Sequence, residues 1–151
     1  MNKEVIVKTE LAGRSEFIDG VESLFPESFA ELHNLEDELL HLDMASFART
    51  TVSAIESGNV NLFKAHFNFI SELFSKAHPD LENAIYVSYL ENVLLDQSNP
   101  KVLNARELLP DNLKIALSGL EEHFEKLMNQ AKTHNKRCRR IQRNATAYTR
   151  A

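Results

Sequence analysis

The chain has 151 residues, 43% hydrophobic and 26% charged, with four Gly, four Pro and a single cysteine, Cys138. That length and balance suit one globular domain able to bury a core unaided; they exclude a disulfide framework, a cysteine-cluster zinc site and wholesale disorder. The net charge of −5 is uneven: residues 132–151 hold Lys132, Lys136, Arg137, Arg139, Arg140, Arg143 and Arg150 and no acid, which leaves ten bases and all 22 acids in residues 1–131.

The scarcity of Gly and Pro points to helices. After a possible short strand at Val5-Ile6-Val7, Ser15 reads as an N-cap. Phe17, Ile18, Val21, Leu24 and Phe25 follow at helical spacing, and Pro26 ends the run. A second helix is predicted from Pro26 to Leu42 on the stripe Leu32, Leu35, Leu39, Leu42. A third is capped by Asp43, carries Met44, Phe47, Ala48, Val52 and Ile55, and closes at Gly58. Asn59 caps a fourth, Phe-rich helix ending before His78-Pro79, and Asp80 opens a fifth that reaches Leu95. The fourth has a wide apolar arc and the fifth is apolar nearly all round, so these two are expected at the centre. A short helix covers Lys101 to Leu109. Pro110-Asp111 opens a long last helix in which Leu113, Leu117, Leu120, Phe124, Leu127 and Ala131 keep a 4-3-4-3-4 rhythm. The expected fold is all-α: a single-domain antiparallel bundle of about six to seven helices, with α-solenoid-like stacking of helix pairs left open. An acidic helical bundle over residues 1–131 is expected to precede a basic C-terminal tail, residues 132–151, that ends the last helix and then frays.

Met1-Asn2-Lys3-Glu4 begins no long apolar stretch, and the Leu81–Leu95 window is interrupted by Glu82, Asn83, Ser88, Glu91 and Asn92. No signal peptide or bilayer span is expected, and the cytoplasm is the expected location.

The search for chemistry finds little. His33, Asp37 and His41 share a helix face at i, i+4, i+8, but two turns separate the histidines, so one ion cannot reach both; no metal and no cofactor are expected. His66 falls inside an apolar arc and reads as a core histidine satisfied by a backbone carbonyl rather than a base or pH switch. Cys138 lies among Arg137, Arg139 and Arg140 without a catalytic signature and reads as a surface thiol. No Gly-rich phosphate loop or nucleophile elbow is present, and no enzyme is expected.

The stretch Asp80-Leu81-Glu82-Asn83-Ala84-Ile85-Tyr86-Val87-Ser88-Tyr89-Leu90-Glu91-Asn92-Val93, with Ile55-Glu56-Ser57-Gly58 and Phe63 to Phe74 upstream and Leu109-Pro110-Asp111-Asn112-Leu113 downstream, resembles a poorly characterised family of small all-helical bacterial proteins. That family includes toxin-immunity proteins of the contact-dependent growth inhibition type. The resemblance covers roughly residues 15–125, supplies no catalytic residues, and places Ser88, Glu91 and Asn92 in its motif, where they read as helix-packing hydrogen-bonders. It implies an immunity protein that binds a cognate toxin domain, a basic nuclease in the leading reading, and neutralises it by steric and electrostatic occlusion. Carboxylates suit that task because a nuclease surface is built to hold phosphates. Glu36, Asp37, Glu38, Asp43, Glu121 and Glu122 are the expected partner-binding residues. The alternative is a regulatory or nucleic-acid-associated module binding through the basic tail; the acidic body opposes nucleic acid, so only residues 132–151 offer it a surface.

Overall fold

The computed structural model describes residues 11–32 and 39–148, with side chains to residue 141, and it is all-α. Seven helices follow in order: α1 (Arg14–Leu24), α2 (Pro26–Ala30), α3 (Leu40–Glu56), α4 (Val60–Ser75), α5 (Pro79–Ala84, continuing through Ile85–Leu90 and Glu91–Leu94), α6 (Pro100–Arg106) and α7 (Asp111–Tyr148). Among the described residues one pairing of extended type joins Ala12 to Ala77: the Ala12 N–H donates to the Lys76 carbonyl at 2.7 Å, and the His78 N–H donates to the Ala12 carbonyl at 2.8 Å. The Val5–Val7 segment lies outside the described residues.

Local chemistry sets most boundaries. Gly13, not Ser15, precedes α1, and the Glu16 carboxylate accepts the Gly13 N–H at 2.7 Å, satisfying an amide that the helix leaves open. Pro26 starts α2 at the position where a missing N–H costs nothing. The second helix differs from expectation: α2 stops at Ala30, with tight i→i+3 bonds from Glu31 and Leu32, and α3 begins at Leu40. Leu32 and Leu39 are half-buried and Leu42 is exposed, so none of these three is a core residue; Leu35, with the rest of residues 33–38, lies outside the described residues. Gly58 takes φ +74° to close α3, and Asn59 Oδ1 accepts the Leu62 N–H at 3.3 Å to open α4, both as read from sequence.

Helix α3 is the hub. It touches α2, α4, α5 and α6, and buries Met44, Phe47, Ala48, Thr51, Ala54 and Ile55. The expectation that α4 and α5 form the centre holds for α5 only. Helix α4 buries Phe63, His66, Phe67, Phe69, Ile70 and Leu73 on one side while Lys64, Asn68 and Glu72 face out. Phe17, Phe25, Phe47 and Phe69 form an aromatic cluster with ring centroids 5.6–6.3 Å apart. Gly20 lets α1 come close: a Cβ there would lie 2.4 Å from the Phe69 ring.

Helix α5 widens in its middle. Ile85–Leu90 is π-helical, and the Glu91 N–H reaches back five residues to the Tyr86 carbonyl. The widening keeps Leu81, Ile85, Tyr89 and Val93, each four residues apart, all facing inward. In an ordinary α-helix that repeat would rotate by about 40° per step.

Chain contacts divide into two compact units, Met1–Leu117 and Ser118–Ala151. In the first, Asn112 exchanges two hydrogen bonds with Ser71 (2.6 and 3.0 Å), tying the start of α7 to α4. In the second, α7 continues to Tyr148, so helix runs through most of the basic segment. Among the described residues no helix is long and apolar enough to cross a membrane.

Candidate functional site

The residues singled out from sequence part ways in the structure. Glu36, Asp37 and Glu38 lie outside the described residues, as does His33. Asp43 is a correction: it is 1% exposed, and its Oδ2 accepts from Arg14 Nη2 at 3.1 Å, so it neither caps α3 nor offers charge to a partner. The reason is geometric. Asp43 sits in the first turn of α3, on the side that packs inward, where α1 delivers a guanidinium. Glu121 is half-buried and Glu122 exposed on α7, the latter 3.2 Å from Lys126 one turn on.

The acidic surface that is described lies earlier in the chain. Between Leu11 and Leu32 every acid, Glu16, Asp19, Glu22, Glu27 and Glu31, is exposed, while the single base, Arg14, is committed to Asp43. Glu16, Asp19 and Glu22 recur every three residues along the outer face of α1, opposite Phe17, Ile18 and Val21. The Gly13 N–H bonded to Glu16 holds that carboxyl below the ordinary carboxylate range. Glu27 and Glu31 border a groove of about 560 Å³ between α2 and α3 whose floor is hydroxyl-rich. Ser28 Oγ donates to Thr50 Oγ1 at 3.1 Å, Thr50 in turn donates to the Phe47 carbonyl at 2.7 Å, and Arg49 donates to Ser46 Oγ at 2.8 Å. Such a groove can accept cationic side chains at its rim and hydrogen-bond them along its floor. The signal for it was present in the sequence as acid spacing on α1.

A second cleft, about 490 Å³, is lined by Arg14, His41, His78 and Asp80. At its edge His41 Nδ1 lies 2.8 Å from Ser88 Oγ, the contact a base makes with a nucleophile. Ser88 is buried in the middle of α5, however, where the surrounding backbone amides are used by the helix instead of converging on a reacting oxygen. The pair therefore holds α3 against α5. Of the packing hydrogen-bonders expected in that motif, Ser88 links two helices through His41, whereas Asn92 donates to the Ser88 carbonyl at 2.8 Å within its own helix.

His66 is buried, but its partner is a side chain rather than the expected carbonyl. Thr51 Oγ1 stands 2.8 Å from His66 Nδ1, 3.0 Å from the Tyr89 hydroxyl and 3.3 Å from the Phe47 carbonyl. His66 Nε2 has no hydrogen-bond partner among the described residues, and the Phe25 and Phe47 rings lie 4.5 and 4.6 Å from the imidazole. Burial pushes the imidazole pKa down to about 4 and the Tyr89 phenol up. The arrangement is a closed polar knot in the core. Among the described residues no cluster of three His, Cys, Asp or Glu is placed to hold a metal.

A protein-family profile matches residues 18–130, well over half of the chain. The chain belongs to that family, Domain of unknown function (DUF7674). The DUF7674 match takes in four of the five acids on α1 and α2 and the whole of α5, and it stops short of the basic segment 132–151. No curated protein matches the chain. No solved structure matches it either.

Proposed function

We propose that this DUF7674 protein is an immunity-type inhibitor: it binds a basic toxin domain, a nuclease in the leading case, and blocks it by shape and field without bond-making. The observation that carries the reading is the acidic stretch Leu11–Leu32, five exposed carboxylates on and just after α1 and α2 whose single base within that stretch, Arg14, is turned to Asp43; Arg49 of α3 lines the groove beside Glu27 and Glu31. The resemblance of the α5 motif to a family of small helical proteins that includes immunity proteins supports it. Charge of one sign on one face steers a basic partner and raises its capture rate by roughly 10 to 1000-fold at low salt. Glu121 and Glu122 extend the acid set on α7; Asp43 is outside it.

The test is protection. Cells expressing the protein are challenged with nuclease toxin domains, starting with any that is found encoded beside its gene, alongside cells expressing a D19K/E22K/E27K triple variant. These three side chains are exposed, so the variant keeps its fold. Loss of protection and a slower, less salt-dependent association are expected. Full protection by the triple variant removes this face from the function, and failure of the unaltered chain to protect removes the immunity reading. A second reading rests on the exposed bases Lys132, Lys136, Arg137, Arg139 and Arg140 on one helix, which suit phosphate contacts. Deleting residues 132–151 separates the two: the inhibitor keeps its partner, whereas a nucleic-acid module loses retention of RNA or DNA.

A further inference from the structure

The heptad phase of α7 does not stop where the first compact unit ends. Phe124, Leu127, Ala131, His134, Cys138 and Ile141 continue the Leu113–Leu120 rhythm of alternating four and three residues along a single uninterrupted helix. Leu127 is 46% exposed, Met128 beside it 60% and Ile141 67%. The two polar members of the stripe meet one turn apart, with Cys138 Sγ 3.6 Å from His134 Nε2. From Leu120 to Ile141 the stripe is about 33 Å long, or three heptads, which is the length at which such a seam sustains a coiled coil.

We propose that this face is covered by the same face of a second copy of the chain, the two α7 helices running antiparallel. Charge sets the direction. Glu121, Glu122 and Glu125 precede Lys132, Lys136, Arg137, Arg139 and Arg140 along the helix. Parallel pairing sets each of these five bases beside its own copy; antiparallel pairing separates most of them, and in the register below Arg140 falls opposite the second copy's Glu125 while Arg139 falls opposite its Lys126, so the preference comes from relieved base–base repulsion and one opposite-charge pair. Length sets the register. Two Ser118–Tyr148 segments overlap fully only when their midpoints coincide near residue 133. In heptad phase this puts Leu127 opposite the second copy's Cys138, Phe124 opposite its Ile141 and Ala131 opposite its His134. Two of these three layers set a large side chain against a small one, as a filled seam requires.

The test uses the full-length protein. Sedimentation equilibrium over a range of concentrations is expected to show a dimer, and L127E, a change at an exposed position, is expected to shift it to monomer with unchanged helical circular dichroism. Mild oxidation of L127C is expected to give a reducible covalent dimer, through Cys138 of the other copy, that L127C/C138S does not form. The unaltered protein, in which the two Cys138 residues lie far apart, stays uncrosslinked. A monomer at all concentrations, or a disulfide dimer of the unaltered chain through Cys138 alone, overturns the proposal.

Discussion

Arg14 Nη2 lies 3.1 Å from Asp43 Oδ2, and this pair ties the start of α1 to the first turn of α3. The carboxylate is almost wholly enclosed and the guanidinium is mostly so, which makes the contact much more sensitive to loss of one partner than a surface pair. R14Q is expected to lower the unfolding free energy by about 3 kcal/mol, because it strands a buried charge, whereas R14M/D43L recovers most of that loss. Urea denaturation of the three proteins checks the order. Equal stability of R14Q and the unaltered chain would show that the pair contributes nothing.

Acid sensitivity follows from His66. Its folded pKa is about 4, below the ordinary 6.5, so the unfolded chain binds the extra proton first as pH falls. Stability is therefore full above pH 6.5 and declines between 6.5 and 4, by up to about 3 kcal/mol from this group. H66F is expected to be less stable at pH 7 but to have a flatter profile between pH 7 and 4. Denaturation midpoints at a series of pH values make the comparison, and parallel profiles for the two proteins would exclude His66 as the source.

The Thr51 hydroxyl has three neighbours, and its removal should cost more than removal of any one of them. Y89F leaves the Thr51–His66 contact in place and is expected to cost about 1 kcal/mol, while T51V deprives both His66 Nδ1 and the Tyr89 hydroxyl of that partner and is expected to cost about 2–3 kcal/mol. Thermal unfolding of both variants checks the ranking; a T51V chain as stable as Y89F would mean that the knot relaxes around the loss.

Gly20 tests packing directly. An added methyl meets the Phe69 ring, which is itself wedged against Phe17, Phe25 and Phe47 and has little room to yield. G20A is expected to destabilise by about 1–3 kcal/mol even though alanine favours helix, with the fold retained. A gain in stability would show that the α1–α4 contact is loose.

Much of this architecture was legible from residue spacing. The Phe17–Ile18–Val21 face, the Gly58-Asn59 turn and the opening of α7 depend on local backbone chemistry, which a short window of sequence contains. The errors arose where distant parts of the chain decide. Asp43 looks like a cap until Arg14, 29 residues away, is brought to it. Leu39 and Leu42 look like part of a core face until α3 presents Met44 and Phe47 instead. The fifth helix looked apolar all round because its inward residues recur every four positions, a period that a plain helix smears over its whole circumference. That repeat was the available signal of the widened turn. The acid spacing Glu16, Asp19, Glu22 on α1 is a weaker local signal than the dense Glu36–Glu38 run, because its meaning depends on which side of the helix is buried.

The extra turn width at Ile85–Leu90 also governs how the family can vary in length. The twelve steps from Leu81 to Val93 would overshoot by about 120° at normal pitch and eleven by about 20°, so deleting one residue within Ile85–Leu90 restores normal pitch and leaves Val93 and Leu94 facing their pockets, whereas the same deletion within α4 swings everything beyond it by about 100°. Sequences sharing this architecture should therefore accept a one-residue gap at the widened turn, as in the Asp96–Asn99 linker, and resist gaps within the plain helices.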